Sequence, residues 1–283
     1  MRVLVTGKNG RIGCAFVEYM NAYYPQEMEI DTVSLRDDMW KDADWSCYDA
    51  ILHLVGVSTG DKEYCYHINR DLSTAVAQKA KRDGVNFFIQ VSTMMVYGDS
   101  APIGQCFTIG FDTEPKPVSL YGSSKLEGER AVLKLADDSF CVAVVREPVV
   151  YGEHIDGEFR KLLKLSGYLP VFPQIDSTKS YIYEGNMCEF FRQLILGNRG
   201  GVFCPQNKER PTTSDLYAIM RKARGRKCIR LYGLMPLLKL MSHITGYVNA
   251  VFNDMKYTEE LSRPEGMDYQ IYSLEESIKR CLK

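Results

Sequence analysis

Residues 3–13, VLVTGKNGRIG, decide the fold class of this chain. A short apolar run, Val3 to Val5, leads into three glycines spaced GxxGxxG, and apolar residues at helical spacing follow. Glycine permits a tight turn and a close approach of the backbone to a ligand. The free N–H groups at the start of the next helix attract a pyrophosphate. This order of strand, glycine turn and helix predicts a dinucleotide-binding site, and a plain strand-to-helix turn is the alternative.

Short apolar runs alternate with longer helical patterns through the first half of the chain. Beyond the first strand, the predicted strands are 30–35, 50–55, 87–91 and 142–145. The predicted helices are 12–23, 63–82 and 119–135. Strands that alternate with helices indicate a parallel sheet, and nearly continuous apolar strands suit a sheet covered on both faces. We therefore predict an α/β fold, a Rossmann-type doubly wound parallel sheet with a smaller C-terminal substrate-binding lobe.

Prolines and glycines divide the chain after Tyr151 into shorter elements. The sequence predicts a dinucleotide-binding domain at 1–152, to which 178–198 returns through a strand at 181–183. The smaller lobe then comprises 153–177 and 199–283. Its most apolar stretch, 231–252, is interrupted by polar residues and falls short of about 20 consecutive apolar residues. We interpret this stretch as a buried or amphipathic helix.

Composition and charge exclude several classes of protein. The 283 residues are 45% hydrophobic and 25% charged, values typical of a globular chain that needs no disulfides to fold. The 35 Lys and Arg residues nearly balance the 36 Asp and Glu residues, which argues against nucleic acid or a membrane surface as a partner. Nine scattered cysteines without a CxxC pair, and four histidines without metal-ligand spacing, predict a cytoplasmic protein with reduced thiols and no metal site.

A Tyr–Lys pair stands at the start of the helix predicted at 119–135. Tyr121 and Lys125 are four residues apart and would share one helix face. An ammonium group lowers the pKa of a neighbouring phenol, which is ordinarily near 10, so that the phenol exchanges a proton near neutral pH. Ser92 and Thr93 end the fourth predicted strand, where side chains face the ligand crevice of a parallel sheet. The alternative for Tyr121 and Lys125 is an ordinary pair of surface side chains. The alternative for Ser92 and Thr93 is that their hydroxyls satisfy backbone groups at the strand end.

Taken together, these segments resemble the extended short-chain dehydrogenase/reductase family of NAD-dependent epimerases and dehydratases. The resemblance is strongest to its sugar-nucleotide 4-epimerases of polysaccharide biosynthesis. The segments that carry it are TGKNGRIG (6–13), HLVG (53–56), Asn69, VSTMMVYG (91–98), YGSSK (121–125), REPVVYG (146–152) and YIY (181–183).

The resemblance implies hydride transfer between a sugar carbon, usually C4, and a nicotinamide of NAD or NADP. Thr93, Tyr121 and Lys125 would be the catalytic residues, with Tyr121 as the acid or base. The implied cofactor-binding residues are Gly7, Asn9, Gly10, Arg11, Ile12, Gly13, Arg36, Leu54, Val55, Gly56, Asn69, Ser92, Tyr121, Lys125 and Pro148. Arg36, with Lys8 and Arg11, favours NADP, and a solvated charge at a strand end is the alternative.

Met94, Val149 and Lys179 are the predicted substrate-binding residues. Met94 and Met95 stand where family dehydratases and decarboxylases carry acidic residues. Because methionine cannot transfer a proton, those two activities are excluded, and apolar packing is the alternative role. Val149 replaces a family asparagine that contacts the sugar nucleotide. Lys179 replaces a family arginine and offers a point charge in place of a bidentate fork.

The first functional hypothesis is therefore a nucleotide-sugar 4-epimerase that acts on a UDP-hexose. An NADPH-dependent reductase of a nucleotide 4-keto sugar is the second, and a non-catalytic NAD(P)-binding sensor or scaffold protein is the third. The family resemblance also implies a homodimer, formed when helices 63–82 and 119–135 of two copies make a four-helix bundle.

Overall fold

The computed structural model describes residues 1–153, 155–244 and 246–282, and of Tyr247 only the backbone. His154, Thr245 and Lys283, which fall within the predicted C-terminal lobe, lie outside the described residues.

The described strands are β1 (Arg2–Thr6), β2 (Glu29–Val33), β3 (Ala50–His53), β4 (Phe87–Thr93), β5 (Thr108–Ile109), β6 (Cys141–Glu147), β7 (Val149–Tyr151), β8 (Val171–Pro173), β9 (Tyr181–Tyr183), β10 (Gly201–Phe203), β11 (Ile229–Leu231) and β12 (Lys256–Tyr257). The described helices are α1 (Arg11–Tyr23), α2 (Met39–Asp42), α3 (Lys62–Tyr66), α4 (Ser73–Arg82), α5 (Leu120–Leu133), α6 (Glu158–Leu165), α7 (Glu184–Gly197), α8 (Thr213–Ala223), α9 (Met235–Ile244), α10 (Gly246–Phe252), α11 (Glu259–Ser262) and α12 (Leu274–Arg280). A π-helical turn, His67–Leu72, joins α3 to α4, and a 3-10 turn, Met94–Tyr97, follows β4.

Six parallel strands form the central sheet in the order β2-β1-β3-β4-β6-β10, which confirms the predicted fold class. The chain passes from β1 to β2 on one side and then crosses to β3 on the other side of β1. The topological switch point therefore lies between β1 and β3, where a ligand crevice opens at the carboxyl ends of the strands. The glycine turn after β1 lies at this point.

Apolar side chains bury both faces of the sheet, as the continuous apolar strands predict. On one face α1 and α7 pack on the strands, and Phe16 meets Phe191 edge to face with ring centroids 6.1 Å apart. On the other face Trp40, Trp45 and the apolar side of α4 cover Phe88. The lobe has a separate apolar cluster, which includes Tyr151, Phe159 and Phe172.

Two glycines hold α5 unusually close to the rest of the domain. A Cβ on Gly122 would lie 2.4 Å from the carbonyl oxygen of Met95, and one on Gly128 would lie 2.1 Å from that of Asn69. Both distances are overlaps with backbone, so these positions accept only glycine. The close approach fixes the first turn of α5 against the end of β4.

Two segments differ from the prediction. Strand β9 pairs with β7 in a separate two-stranded ladder and does not join the central sheet, because Tyr181 and Tyr183 pack around Tyr151 in the lobe. Strand β10, predicted in the lobe, is instead an outer strand of the central sheet beside β6. The stretch 231–252 is helical over 235–244 and 246–252, in agreement with the predicted helix. The division into domain and lobe stays a proposal, although α7 does return to the sheet.

Candidate active site

The glycine turn has the backbone geometry of an anion cradle. Gly7 has φ +89° and Asn9 has φ +72°, both in the left-handed region. A Cβ on Gly10 would lie 2.9 Å from the carbonyl oxygen of Gly7. The N-cap of α1 makes no side-chain hydrogen bond, and its first turn holds no acidic residue. The first N–H groups of α1 thus face the turn without competition from a side chain, which suits a phosphate.

A cleft of about 1260 Å³ opens above this turn. That volume exceeds the roughly 300–1,000 Å³ of a typical small-ligand site, so there is room for a dinucleotide and a second molecule. The predicted cofactor residues that line it are Gly7, Asn9, Gly10, Arg11, Ile12, Gly13, Arg36, Leu54, Val55 and Gly56. Lining residues that the prediction omitted include Ser34, Leu35, Trp40, Glu147 and Asp156.

The predicted catalytic trio, Thr93, Tyr121 and Lys125, assembles at the carboxyl edge of the sheet. Ser119 caps α5 by accepting a hydrogen bond from the N–H of Gly122, which places Tyr121 in the first turn of the helix. Thr93 ends β4, and its hydroxyl accepts a hydrogen bond from the N–H of Met95 and lowers the pKa of the Tyr121 phenol. Lys125 lies one turn further along α5, fully buried, and its Nζ donates to the carbonyl oxygen of Val91 at 2.9 Å.

The electrostatics of Tyr121 differ from the sequence-based expectation. Burial raises the pKa of Tyr121 above its ordinary value of 10, the charge of Glu147 raises it further, and the hydrogen bond with Thr93 lowers it. The Lys125 ammonium is not among these causes. Burial lowers the pKa of Lys125 itself, against the charges of Glu147 and Glu129. The predicted lowering of the Tyr121 pKa by Lys125 is therefore wrong for the free protein.

Glu147 is the site residue that the sequence analysis missed. It ends β6 as the register partner of Thr93, lines the cleft, and has an Oε2 atom that is buried without a hydrogen-bond partner. Burial raises the pKa of Glu147 to about 7, with Lys125 acting in the opposite direction. Its position in the sequence could have indicated it. The residue after Arg146 ends a predicted strand at the same edge of the sheet as Thr93.

Two predicted cofactor residues, Asn69 and Ser92, bind neighbouring parts of the protein that hold the site in place. Asn69 holds the loop after β3: its Nδ2 donates to the carbonyl oxygen of Val57 at 2.8 Å and to Ser124 at 2.9 Å, and its Oδ1 accepts from the N–H of Val57. Ser92 points away from the cleft, where its hydroxyl donates to Glu129. Adjacent strand residues face opposite sides of a sheet, so Ser92 and Thr93 cannot both face the ligand. Pro148 is buried between β6 and β7, outside the cleft lining.

The predicted substrate residues do not converge on the cleft. Met94 packs in an apolar cluster with Tyr97 and Tyr257, which agrees with the alternative role of core packing. Lys179 is buried, and its Nζ bonds to the Glu158 carboxylate at 2.7 Å and to the carbonyl oxygen of Ala250. Its charge is thus already compensated. Val149 lies half-buried in β7, outside the cleft lining.

We expect Gly10→Ala to weaken binding of the dinucleotide by about tenfold or more, which corresponds to about 1.4 kcal/mol. The added Cβ would displace the Gly7 carbonyl and distort the anion cradle. Gly13→Ala is the matched control in the same turn, because its Cβ would make contacts of 3.4 Å and longer, which are ordinary. Fluorescence titration with NADH and NADPH measures both variants. Equal losses in the two would contradict this account of the turn.

The fold and the site together define a protein with a glycine turn of the dinucleotide-binding type after its first strand, and with a tyrosine, a lysine and a threonine at the carboxyl edge of the same sheet. The model of the NAD dependent epimerase/dehydratase family matches residues 3–166, so the chain belongs to that family.

Comparisons with individual proteins agree with this family. A dTDP-4-dehydrorhamnose reductase of Sinorhizobium fredii (strain NBRC 101917 / NGR234) is 29% identical over 178 residues, which are 59% of this chain and 56% of the reductase. A UDP-glucose 4-epimerase of Vibrio cholerae is 34% identical over 103 residues, 34% of this chain and 30% of the epimerase. The match thus spans about half the length of the first relative and under a third of the second. The crystal structure of the human epimerase family protein SDR39U1 (isoform 2) with NADPH has the same fold, with a TM-score of 0.78 at 18% identity over 100% of this chain and 99% of that one.

Proposed function

We propose that this protein is an NAD(P)-dependent reductase of a nucleotide-activated 4-keto sugar, with Tyr121 as the proton donor. The observation that carries the proposal is the Glu147 carboxyl beside the catalytic trio. Burial and then the Glu147 charge raise the pKa of Tyr121, so the phenol keeps its proton, as a donor to a carbonyl oxygen must. The reductase of Sinorhizobium fredii aligns with 59% of this chain. This similarity supports the same direction of reaction.

The residues present fit a nicotinamide dinucleotide, because the cradle at Gly7 and Gly10 accepts no side chain and the start of α1 is bare. When bound, the reduced dinucleotide supplies the hydride. Tyr121 donates its phenol proton to the oxygen of the ketone as that oxygen gains negative charge. Thr93, whose side chain lowers the pKa of the same phenol, is placed to orient it. The π-helical turn keeps Asn69 on the loop at Val57, and so fixes the wall of the cleft that faces Lys125.

A 4-epimerase is the second candidate. It is favoured by the match to the Vibrio cholerae enzyme and by the hydrogen bond from Thr93, which stabilises a phenolate at Tyr121. An epimerase must first remove a proton from a hydroxyl, and the Glu147 charge opposes that step. The ranking suggested by the sequence is therefore reversed. Assembly of all three catalytic residues argues against a sensor or scaffold without chemistry.

Product analysis separates these functions. We expect the purified protein, given a dTDP- or UDP-linked 4-keto-6-deoxyhexose, to consume one NADPH or NADH for each keto sugar reduced. Absorbance at the nicotinamide band and chromatography of the sugar nucleotide measure the stoichiometry. Inversion of UDP-glucose or UDP-N-acetylglucosamine at C4 without net consumption of the dinucleotide would overturn the reductase in favour of the epimerase. A role in polysaccharide synthesis, a cytoplasmic location and the homodimer remain proposals, and light scattering at micromolar concentration tests the last.

We expect Glu147→Gln to move the alkaline limb of the pH profile of ketone reduction to lower pH. Above pH 7 the wild-type Glu147 carboxyl, with its pKa of about 7, is largely charged and raises the pKa of Tyr121. Glutamine removes that charge, so the phenol loses its proton at lower pH. Each unit of displacement lowers the rate on that limb tenfold. Asp156→Asn, which removes an exposed carboxyl from the same cleft, is the control and should leave the limb in place. An unchanged profile for Glu147→Gln would contradict the assignment.

A further inference from the structure

Helix α9 carries an apolar stripe on its solvent side. Leu237, Leu240, Met241 and Ile244 follow an i, i+3, i+4, i+7 spacing, which places them on one helix face. All four are exposed, and Ile244 is 81% exposed. The opposite side of the helix is held by Leu238, which is buried in the apolar cluster of the lobe. The helix therefore has two apolar sides. One is buried in the lobe, and the other is exposed to solvent.

The segment that leads into α9 continues this character. Ile229, Leu231 and Tyr232 are all exposed, although β11 is paired with β8. A concentration of exposed large apolar side chains in one part of a chain marks an interaction surface more often than a solvated one. Together with the stripe, these residues form what we call the α9 surface.

The charge of this region identifies the partner. Residues 216–253 contain no Asp or Glu, whereas the whole chain has 36. The same stretch carries seven cations, Arg221, Lys222, Arg224, Arg226, Lys227, Arg230 and Lys239. The overall net charge of −1 therefore conceals a strongly positive segment. The sequence-based argument against a membrane surface relied on that overall balance.

Part of this positive charge is not neutralised within the protein. Arg224 and Arg226 donate to the carbonyl oxygens of Leu163 and Gly167, and no carboxylate in the described part of the chain pairs with Lys227 or Lys239. A second copy of the chain would bring cations against cations. An anionic lipid surface offers both the apolar environment for the stripe and the opposite charge.

We propose that the α9 surface binds the protein peripherally to an anionic lipid bilayer, with α9 lying in the interface. Within the described residues no helix has the length and apolar character to cross a bilayer, so the mode of attachment is surface binding. The proposal is independent of the chemistry at Tyr121, because the surface and the dinucleotide cleft share no lining residue.

Flotation of the full chain with lipid vesicles tests the proposal. We expect it to bind vesicles of phosphatidylcholine with phosphatidylglycerol, and to bind vesicles of phosphatidylcholine alone at least about tenfold more weakly, because each cation near an anionic surface contributes roughly fivefold. Raising the salt concentration should release it. A protein that fails to float with the anionic vesicles would overturn the proposal.

Two variants locate the surface. Leu240→Ser combined with Ile244→Ser should lower binding at least about tenfold, and Lys227→Gln combined with Lys239→Gln should lower it only toward anionic vesicles. Phe111→Ser is the matched control, since Phe111 is 75% exposed outside the α9 surface. Circular dichroism and dinucleotide binding confirm that each variant folds. Undiminished flotation of the serine variant, or a dimer in solution that this variant abolishes, would reject the lipid in favour of another site or a second copy.

Discussion

Tyr121→Phe lowers the kcat of ketone reduction by about 10²–10⁴-fold and leaves the affinity for the dinucleotide unchanged. The magnitude is that of a single positioned proton donor. Tyr121 is half-buried on α5, so phenylalanine keeps its packing and removes only the phenol hydroxyl. The loss should therefore fall on the chemical step and not on folding or on cofactor binding.

Single-turnover kinetics with bound NADPH and a keto sugar nucleotide measure this loss directly. Tyr64→Phe is the control, because Tyr64 lines the cleft, is exposed and lies on α3. A Tyr121→Phe protein that reduces the ketone at the wild-type rate would remove Tyr121 from the reaction. If the same variant also preserved the cellular function, a non-catalytic dinucleotide-binding role would gain support.

Arg146→Met destabilises the fold by about 3–5 kcal/mol, the usual result of removing one partner of a buried ion pair. Arg146 makes a bidentate contact with the Glu129 carboxylate, with its Nη2 at 2.7 Å, and its Nη1 donates to the hydroxyl of Tyr97 at 2.8 Å. The Glu129 side chain is only 1% exposed. Without the guanidinium, the hydroxyl of Ser92 is the hydrogen-bond partner that this buried carboxylate retains among the described residues.

Urea denaturation followed by fluorescence measures the change in the free energy of unfolding. Lys222→Met, which breaks an exposed pair with Glu275, should change it by less than about 1 kcal/mol. Combining Arg146→Met with Glu129→Leu should restore part of the loss, because the isolated buried charge is gone. A loss below about 1 kcal/mol for Arg146→Met alone would show that Glu129 finds water or is neutral in the fold.

The sequence predicts the parts of this site that depend on local chain order. The strand, glycine turn and helix at 2–23 are adjacent in the chain, and the spacing of Tyr121 and Lys125 is set by one helix. The parts it misses depend on contacts between distant segments. Which of Ser92 and Thr93 faces the cleft depends on the register of β4, and the compensation of Lys179 depends on Glu158 and Ala250. Glu147 is overlooked for the same reason, because its neighbours come from β4 and α5.

The two edge strands of the central sheet limit edge-to-edge association between copies of this protein. Strand β10 has only three residues and begins with a glycine, so it offers little backbone for an incoming chain. Strand β2 is longer, but it carries the acidic side chains of Glu29 and Asp31. Both carboxylates form partly exposed ion pairs with Arg2, so a second β2 docked alongside would have to bury these charged groups. Both edges of the sheet therefore disfavour aggregation by strand pairing. We expect the protein not to aggregate in this way at high protein concentration.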